Sequence, residues 1–411
     1  MAIVALLSAH HCSDGGKLWG LLAVCGLPIV GRQLRQAGQA GARRAIVKVE
    51  TLTPDQRVAL ERLGPDLVIV RDGIELAAAI GADDVLLFAE GLIVDQALVS
   101  HMAALDETAL AVWSGEAPPE AERIDHQSCW AGLARIPNQL VIETARTLED
   151  WDMQSTLLRV TSALAPKRWI VDTAGQPSWQ IARTTQAADL LTDRLLRGKQ
   201  PDHGSWVLGY VQMPIAGLLA RWLLLTRATA LGLRIAGTGI GLAAAIAFTT
   251  GWISTGLTLA VADGFLICTA TKLAQVRLEI IPQRQRWDLT DRVIGYGWFF
   301  GLATWLAWST ATNSPLLLAV IIVLFSVAAS QHKRHFQHLT GCHLGNCGTA
   351  ERRTVRMAAN PDTLIWTLIP FALISDWHFG LAVLAAYAAL MFFVFQAQAF
   401  RSLRSLVIVK D

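Results

Sequence analysis

Apolar and polar positions alternate along this chain in two different ways. Over residues 1–200, short apolar runs are separated by segments with helical periodicity. Ile3–Leu7, Ala45–Val49, Leu67–Val70, Val85–Phe88 and Ala109–Trp113 read as buried strands, with helices over Gln33–Gly41 and Pro54–Leu63 between them. Strands alternating with helices predict a mostly parallel α/β sheet, with ligands at the carboxyl ends of the strands. From about Ala230 to Phe400 the pattern becomes six long apolar stretches with short connections, near 230–251, 252–275, 292–311, 314–331, 361–377 and 379–400. A stretch of roughly 18 apolar residues crosses the hydrocarbon core as a helix, the form that satisfies its own backbone there.

Charge placement then orients the predicted spans. Lys and Arg gather before the first span (Arg194, Arg197, Lys199, Arg221, Arg227), between the second and third (Lys272 to Arg292), between the fourth and fifth (Lys333, Arg334, Arg352, Arg353, Arg356) and in the tail. The connections near Thr250, Asn313 and Asp376 carry none. The positive-inside rule predicts an integral membrane protein with six transmembrane helices and cytoplasmic N- and C-termini. Met213–Arg227 is apolar but interrupted by Pro214, Arg221 and Arg227, which predicts an amphipathic interfacial helix. The domains expected are 1–195 (α/β), 196–229 (linker and interfacial helix) and 230–411 (all-α membrane domain).

Composition agrees with that division. Hydrophobic residues make up 53% of 411 and charged residues 17%, below the quarter usual in soluble domains. The net charge of +2 gives no reason to expect a nucleic-acid partner, and the six scattered cysteines do not form a disulfide framework. Membrane lipids are the expected partners.

Three stretches carry candidate chemistry. After the first strand, Gly15-Gly16-Lys17 is a weak form of a glycine-rich phosphate loop, and His10, His11 and Cys12 offer metal ligands in the same place. An acid within a span is costly, so Asp263 needs either a function or a partner. Beyond the fourth span, His332, His335, His338, Cys342, His343 and Cys347 supply ligands suited to Zn2+, while the surrounding Lys and Arg suit anionic headgroups.

Two sets of motifs resemble known families. Cys25 to Leu34, followed by Ala40 to Val47, and later Trp130 to Pro137, resemble nucleotidyltransferase domains. That resemblance implies a nucleotide site in which Glu90 stands in for a metal-binding aspartate. The six-span half, with the helix before it, is similar to CDP-alcohol phosphatidyltransferases. The whole layout resembles proteins that fuse an inositol-phosphate cytidylyltransferase to a phosphatidyltransferase-like domain. Membership would imply Mg2+ or Mn2+, a CDP-linked small molecule, a homodimer and carboxylates arrayed on two neighbouring helices. Asp263, Asp288 and Asp291 are the candidate catalytic residues, set against a family signature of four aspartates. Three readings stay open: a transferase moving a phospho-alcohol from a CDP-linked donor in phospholipid metabolism, an inactive relative that binds lipid, nucleotide or a partner, or a metal-responsive membrane protein built on the His/Cys loop.

Overall fold

The computed structural model describes residues 3–13, 15–114, 118–119, 121–126, 128–147, 152–171, 179–197, 205–226, 228–340 and 357–408, with side-chain surroundings for all of these except 334, 336–340 and 402–408. The chain divides into two compact units. One is Met1–Leu195 with Val276–Glu279; the other is Leu196–Gln275 with Ile280–Asp411.

The first unit is an α/β domain built on a seven-stranded sheet. Its strands are β1 (Ile3–Ala9), β2 (Arg44–Val49), β3 (Asp66–Val70), β4 (Asp84–Phe88), β5 (Ala109–Ser114), β6 (Ser128–Ile136) and β7 (Lys167–Val171), in the order β7-β5-β6-β4-β1-β2-β3. The ladders β1–β2, β1–β4, β2–β3 and β5–β7 are parallel, and β6 runs antiparallel between β4 and β5. All seven residues of β1 are buried, as befits a central parallel strand covered on both faces. The helices of this unit are α1 (Ile29–Gln39), α2 (Pro54–Glu61), α3 (Gly73–Ala79), α4 (Gln96–Ala104), α5 (Asn138–Thr147), α6 (Met153–Ala163) and α7 (Thr185–Arg197). The start of α2 is fixed by Pro54 and by a reciprocal Thr53–Gln56 capping box.

The five expected strands are present. Two more, β6 and β7, lie outside the apolar pattern. In β6 the apolar run is broken by Gly132 at φ +86° and by Arg135, whose charge is buried and held by Asp84 and the Ala103 carbonyl. The edge strand β7 is mostly exposed and opens with Lys167 and Arg168, so it lacks a buried-strand pattern. Helix α1 begins at Ile29, directly after Pro28, rather than at Gln33, because Ile29, Val30 and Leu34 all pack into the core.

The second unit is helical: α8 (Met213–Leu224), α9 (Ala230–Thr249), α10 (Ile253–Arg277), α11 (Arg284–Thr310), α12 (Ser314–Thr340), α13 (Pro361–Ile374) and α14 (Trp377–Ile408). Among the described residues four helices are long and apolar enough to span a membrane, within α9, α10, α12 and α14. The other two expected spans differ for physical reasons. The stretch 292–311 belongs to α11; residues 293–310 carry no charge, but Gly295, Tyr296, Gly297, Gly301, Thr304, Ser309 and Thr310 dilute their apolar character below that of the other four. The stretch 361–377 yields α13, 14 residues long and about 21 Å at helical rise, with Pro370 inside it and a left-handed Ser375 at its end. That is short of a hydrocarbon core of about 30 Å.

Outside and inside of this unit are both apolar. Phe248, Trp298, Phe299 and Leu364 are buried, while Leu242, Trp252, Trp308, Leu317, Leu373 and Phe393 face outward. Less than half of each candidate span is buried in the protein, which leaves its apolar remainder for lipid. Helices α9 and α11 pack closely: Trp298 Nε1 donates to the Gly241 carbonyl at 2.9 Å, and a Cβ at Gly301 would stand 2.8 Å from the Ala245 carbonyl oxygen. Gly301→Ala therefore forces the two backbones apart. The expected loss is about 1–3 kcal/mol, read as a lowered melting temperature in detergent; an unchanged melting temperature would contradict this packing.

Candidate functional site

The strand order reverses at β1, which has β2 on one side and β4 on the other. Such a switch point opens a crevice at the carboxyl ends of the strands. There lies a cleft of about 140 Å³, small beside the roughly 300–1,000 Å³ of pockets that enclose drug-sized ligands. Its lining includes Ser8, His10, Lys48, Glu50, Arg71, Asp72, Glu90, Asp152 and Gln154.

Three of the four carboxylates in that lining, Glu90, Asp72 and Asp152, are hydrogen-bonded within the protein. Glu90 Oε1 accepts from the backbone N–H of His10 (2.8 Å) and His11 (3.0 Å), and Oε2 lies 2.7 Å from His11 Nδ1. Asp72 and Asp152 cap helices α3 and α6, accepting from the N–H of Glu75 and Gln154. Glu50 lies 3.4 Å from His10 Nδ1. Gln154 ties the floor together: its amide nitrogen donates to Ser8 Oγ (2.7 Å) and to the Phe88 carbonyl, and its oxygen accepts from the Glu90 N–H. Ser8 thus faces an amide that cannot take its proton. By contrast, the Lys48 ammonium and the Arg71 guanidinium make no ion pair or side-chain hydrogen bond among the described residues. The uncommitted polar capacity of the cleft is cationic, which suits phosphate.

The Gly15-Gly16-Lys17 stretch lies in a small hairpin instead of a phosphate cradle. Ser13 N–H donates to the Lys17 carbonyl, Gly16 N–H to the Ser13 carbonyl and Trp19 N–H to the His11 carbonyl, so these donors are spent within the loop. His11 stacks on Trp19 at 4.8 Å, and Cys12 is exposed as a free thiol.

The second unit holds a separate polar cluster. Arg234 of α9 is buried, and its Nη2 donates to Asp288 Oδ1 at 2.5 Å and to Asp291 Oδ2 at 2.6 Å, both on the first turns of α11. Thr238 adds a longer hydrogen bond to Asp291 Oδ1 at 3.3 Å. Asp263 of α10 is also buried, and its carboxylate sits where Gly237 and Gly241 leave room: Oδ2 is 2.9 Å from the position of a Cβ on Gly241. Asp263 Oδ1 has no hydrogen-bond partner. Near Gly264 lie Gln212 and Asp362. Among the described residues no three His, Cys, Asp or Glu side chains gather as a metal-binding group. With its guanidinium between Asp288 and Asp291, this set does not fit the Mg2+ or Mn2+ that the family resemblance implies.

His332 and His335 lie on α12, with His332 Nε2 buried and without a partner. His338 lies in the same helix, but its side chain is outside the described residues, as are Cys342, His343 and Cys347 entirely.

Sequence reasoning passed over Lys48, Arg71, Gln154 and Arg234. Lys48 and Arg71 stand at the carboxyl ends of two strands, where the switch-point rule directs attention. Arg234 is a charge inside an apolar stretch, the same signal that singled out Asp263.

No protein-family model matches the chain, and no curated protein matches it. Among solved structures it is similar to a glucose-1-phosphate thymidylyltransferase from Bacillus anthracis in complex with a sucrose, at 11% identity and TM-score 0.35, over 47% of this chain and 96% of that one. It is also similar to a CMP:2-keto-3-deoxy-manno-octonic acid synthetase complexed with CTP, at 14% identity and TM-score 0.36, over 48% of this chain and 99% of that one.

Replacing Glu90 by Ala leaves two backbone N–H groups and His11 without their acceptor. The expected cost is about 2–4 kcal/mol, measured as a lower urea midpoint for the transition that reports the α/β unit. A midpoint equal to that of the unaltered protein would show that Glu90 does not hold the loop after β1.

Proposed function

We propose that this chain is an integral membrane relative of the CDP-alcohol phosphatidyltransferases that binds a nucleotide-bearing small molecule, such as a CDP-linked alcohol, at the cytoplasmic face. The observation that carries the proposal is the switch-point cleft, in which Glu90, Asp72 and Asp152 are hydrogen-bonded while Lys48 and Arg71 make no ion pair among the described residues. Hydrogen bonds from such cations to phosphate oxygens are charge-assisted and strong. The apolar helices of the second unit hold the protein in the bilayer. In this reading the six apolar stretches cross it, the short α13 by local thinning of the bilayer and with help from its flanking residues, and both termini are cytoplasmic, in keeping with the basic connections. Helix α8 lies at the interface, with Leu218, Trp222 and Leu225 exposed beside Arg221.

Neither candidate centre is set up for metal-dependent transfer. In the first unit Glu90 is committed to the backbone, and in the second Arg234 occupies Asp288 and Asp291. Binding without transfer is therefore the preferred form. The transferase reading is favoured by one observation, the unpartnered Oδ1 of Asp263.

Equilibrium binding of CTP and CDP-glycerol to the full chain in nanodiscs tests both forms. Lys48→Ala and Arg71→Ala are each expected to weaken binding about tenfold, a loss of ~1.4 kcal/mol that matches one hydrogen bond to a charged group. No CMP should be released from CDP-glycerol with Mg2+ or Mn2+ present. Unchanged affinity in both variants would sink the cleft assignment. Metal-dependent CMP release that disappears in Asp263→Asn would establish the transferase instead.

A further inference from the structure

We infer that Arg234 is a built-in replacement for a metal ion, a guanidinium occupying the place where a divalent cation would bridge Asp288 and Asp291. The inference rests on the phosphatidyltransferase reading and concerns the helical unit alone. Its geometry is specific. One nitrogen, Nη2, lies 2.5 Å from an oxygen of Asp288 and 2.6 Å from an oxygen of Asp291. Hard cations bind carboxylate oxygens at about 2.0–2.6 Å, so the nitrogen stands close to where such an ion would sit. Arg234 comes from a different helix than the two acids. Like such an ion it neutralises both acids; unlike an ion held by those two acids alone, it also ties α9 to α11. Thr238, one turn further along α9, donates chiefly to the Arg234 carbonyl of its own helix (2.9 Å) and approaches the second oxygen of Asp291 at 3.3 Å.

An ordinary ion pair and a metal surrogate respond differently to removal of the arginine. Two carboxylates held close together without a cation repel each other, and a divalent ion is the species that relieves this. The site then becomes a latent metal site, opened by a single substitution.

The test uses the full chain in detergent, with Mn2+ as the probe and electron paramagnetic resonance and melting temperature as readouts. The unaltered protein is expected to bind no Mn2+ that depends on Asp288 and Asp291, and to melt at the same temperature in Mn2+ and in a chelator. Arg234→Ala is expected to melt several degrees lower in chelator, to regain part of that in millimolar Mn2+, and to lose the rescue when Asp288→Asn and Asp291→Asn are added. Arg234→Lys, which keeps the charge, is expected to stay indifferent to metal. The inference is overturned by stoichiometric Mn2+ on the unaltered protein that vanishes in the Asp288→Asn/Asp291→Asn variant, a measurement that does not need Arg234→Ala to fold. It is also overturned if folded Arg234→Ala binds no Mn2+. Either failure is read separately from nucleotide binding, which belongs to the other unit.

Discussion

A guanidinium that is almost wholly buried among apolar helices has to be held by carboxylates, because an unpaired charge there costs several kcal/mol. Arg234 meets that requirement with Asp288 and Asp291, and in doing so fixes where α9 and α11 meet. Breaking a fully buried pair typically costs about 3–5 kcal/mol; the half-exposed Asp288 contributes less than that. Further along the same two helices the contact continues through Trp298 on the Gly241 carbonyl and through the close approach at Gly301. The groove formed by Gly237 and Gly241 then receives the Asp263 carboxylate. Charge pairing at one end and small residues along the length thus define the polar interior of an otherwise apolar bundle.

The α/β unit uses its polar groups in a similar way. Glu90 and Gln154 spend their hydrogen-bonding capacity on the loop after β1 and on the edges of β1 and β4. A carboxylate so used shapes a cleft without offering a free ligand for metal. Among the described residues Lys48 and Arg71 of this cleft make no ion pair, which is what supports the proposed phosphate recognition. The α/β unit thus ties Glu90, Asp72 and Asp152 to internal partners, and the helical unit does the same for Asp288 and Asp291 but leaves Asp263 Oδ1 without one.

Much of this was legible from particular residues. The apolar run Ile3–Leu7 became the fully buried β1 because a central parallel strand needs apolar side chains on both faces. The long runs became α9, α10, α12 and α14 for the equally simple reason of length. The edge strand β7 was illegible because an exposed edge needs no apolar alternation, and β6 because Gly132 and Arg135 disguise it. Pro370 and Ser375 were the signals that the fifth apolar stretch forms a short helix. The partner of Asp288 and Asp291 could not be read from their own neighbourhood, where Arg284, Arg286 and Arg292 are closer in sequence. It comes from Arg234, more than fifty positions earlier, and only helix packing brings it there.

We propose that this membrane protein binds a nucleotide-bearing ligand without the help of a divalent ion. The most direct measurement is the affinity of the full chain in nanodiscs for a CDP-linked alcohol, before and after exhaustive chelation of divalent metals. Saturable binding with the same affinity in both conditions is expected. Binding that is lost on chelation and restored by Mg2+ or Mn2+ would contradict it.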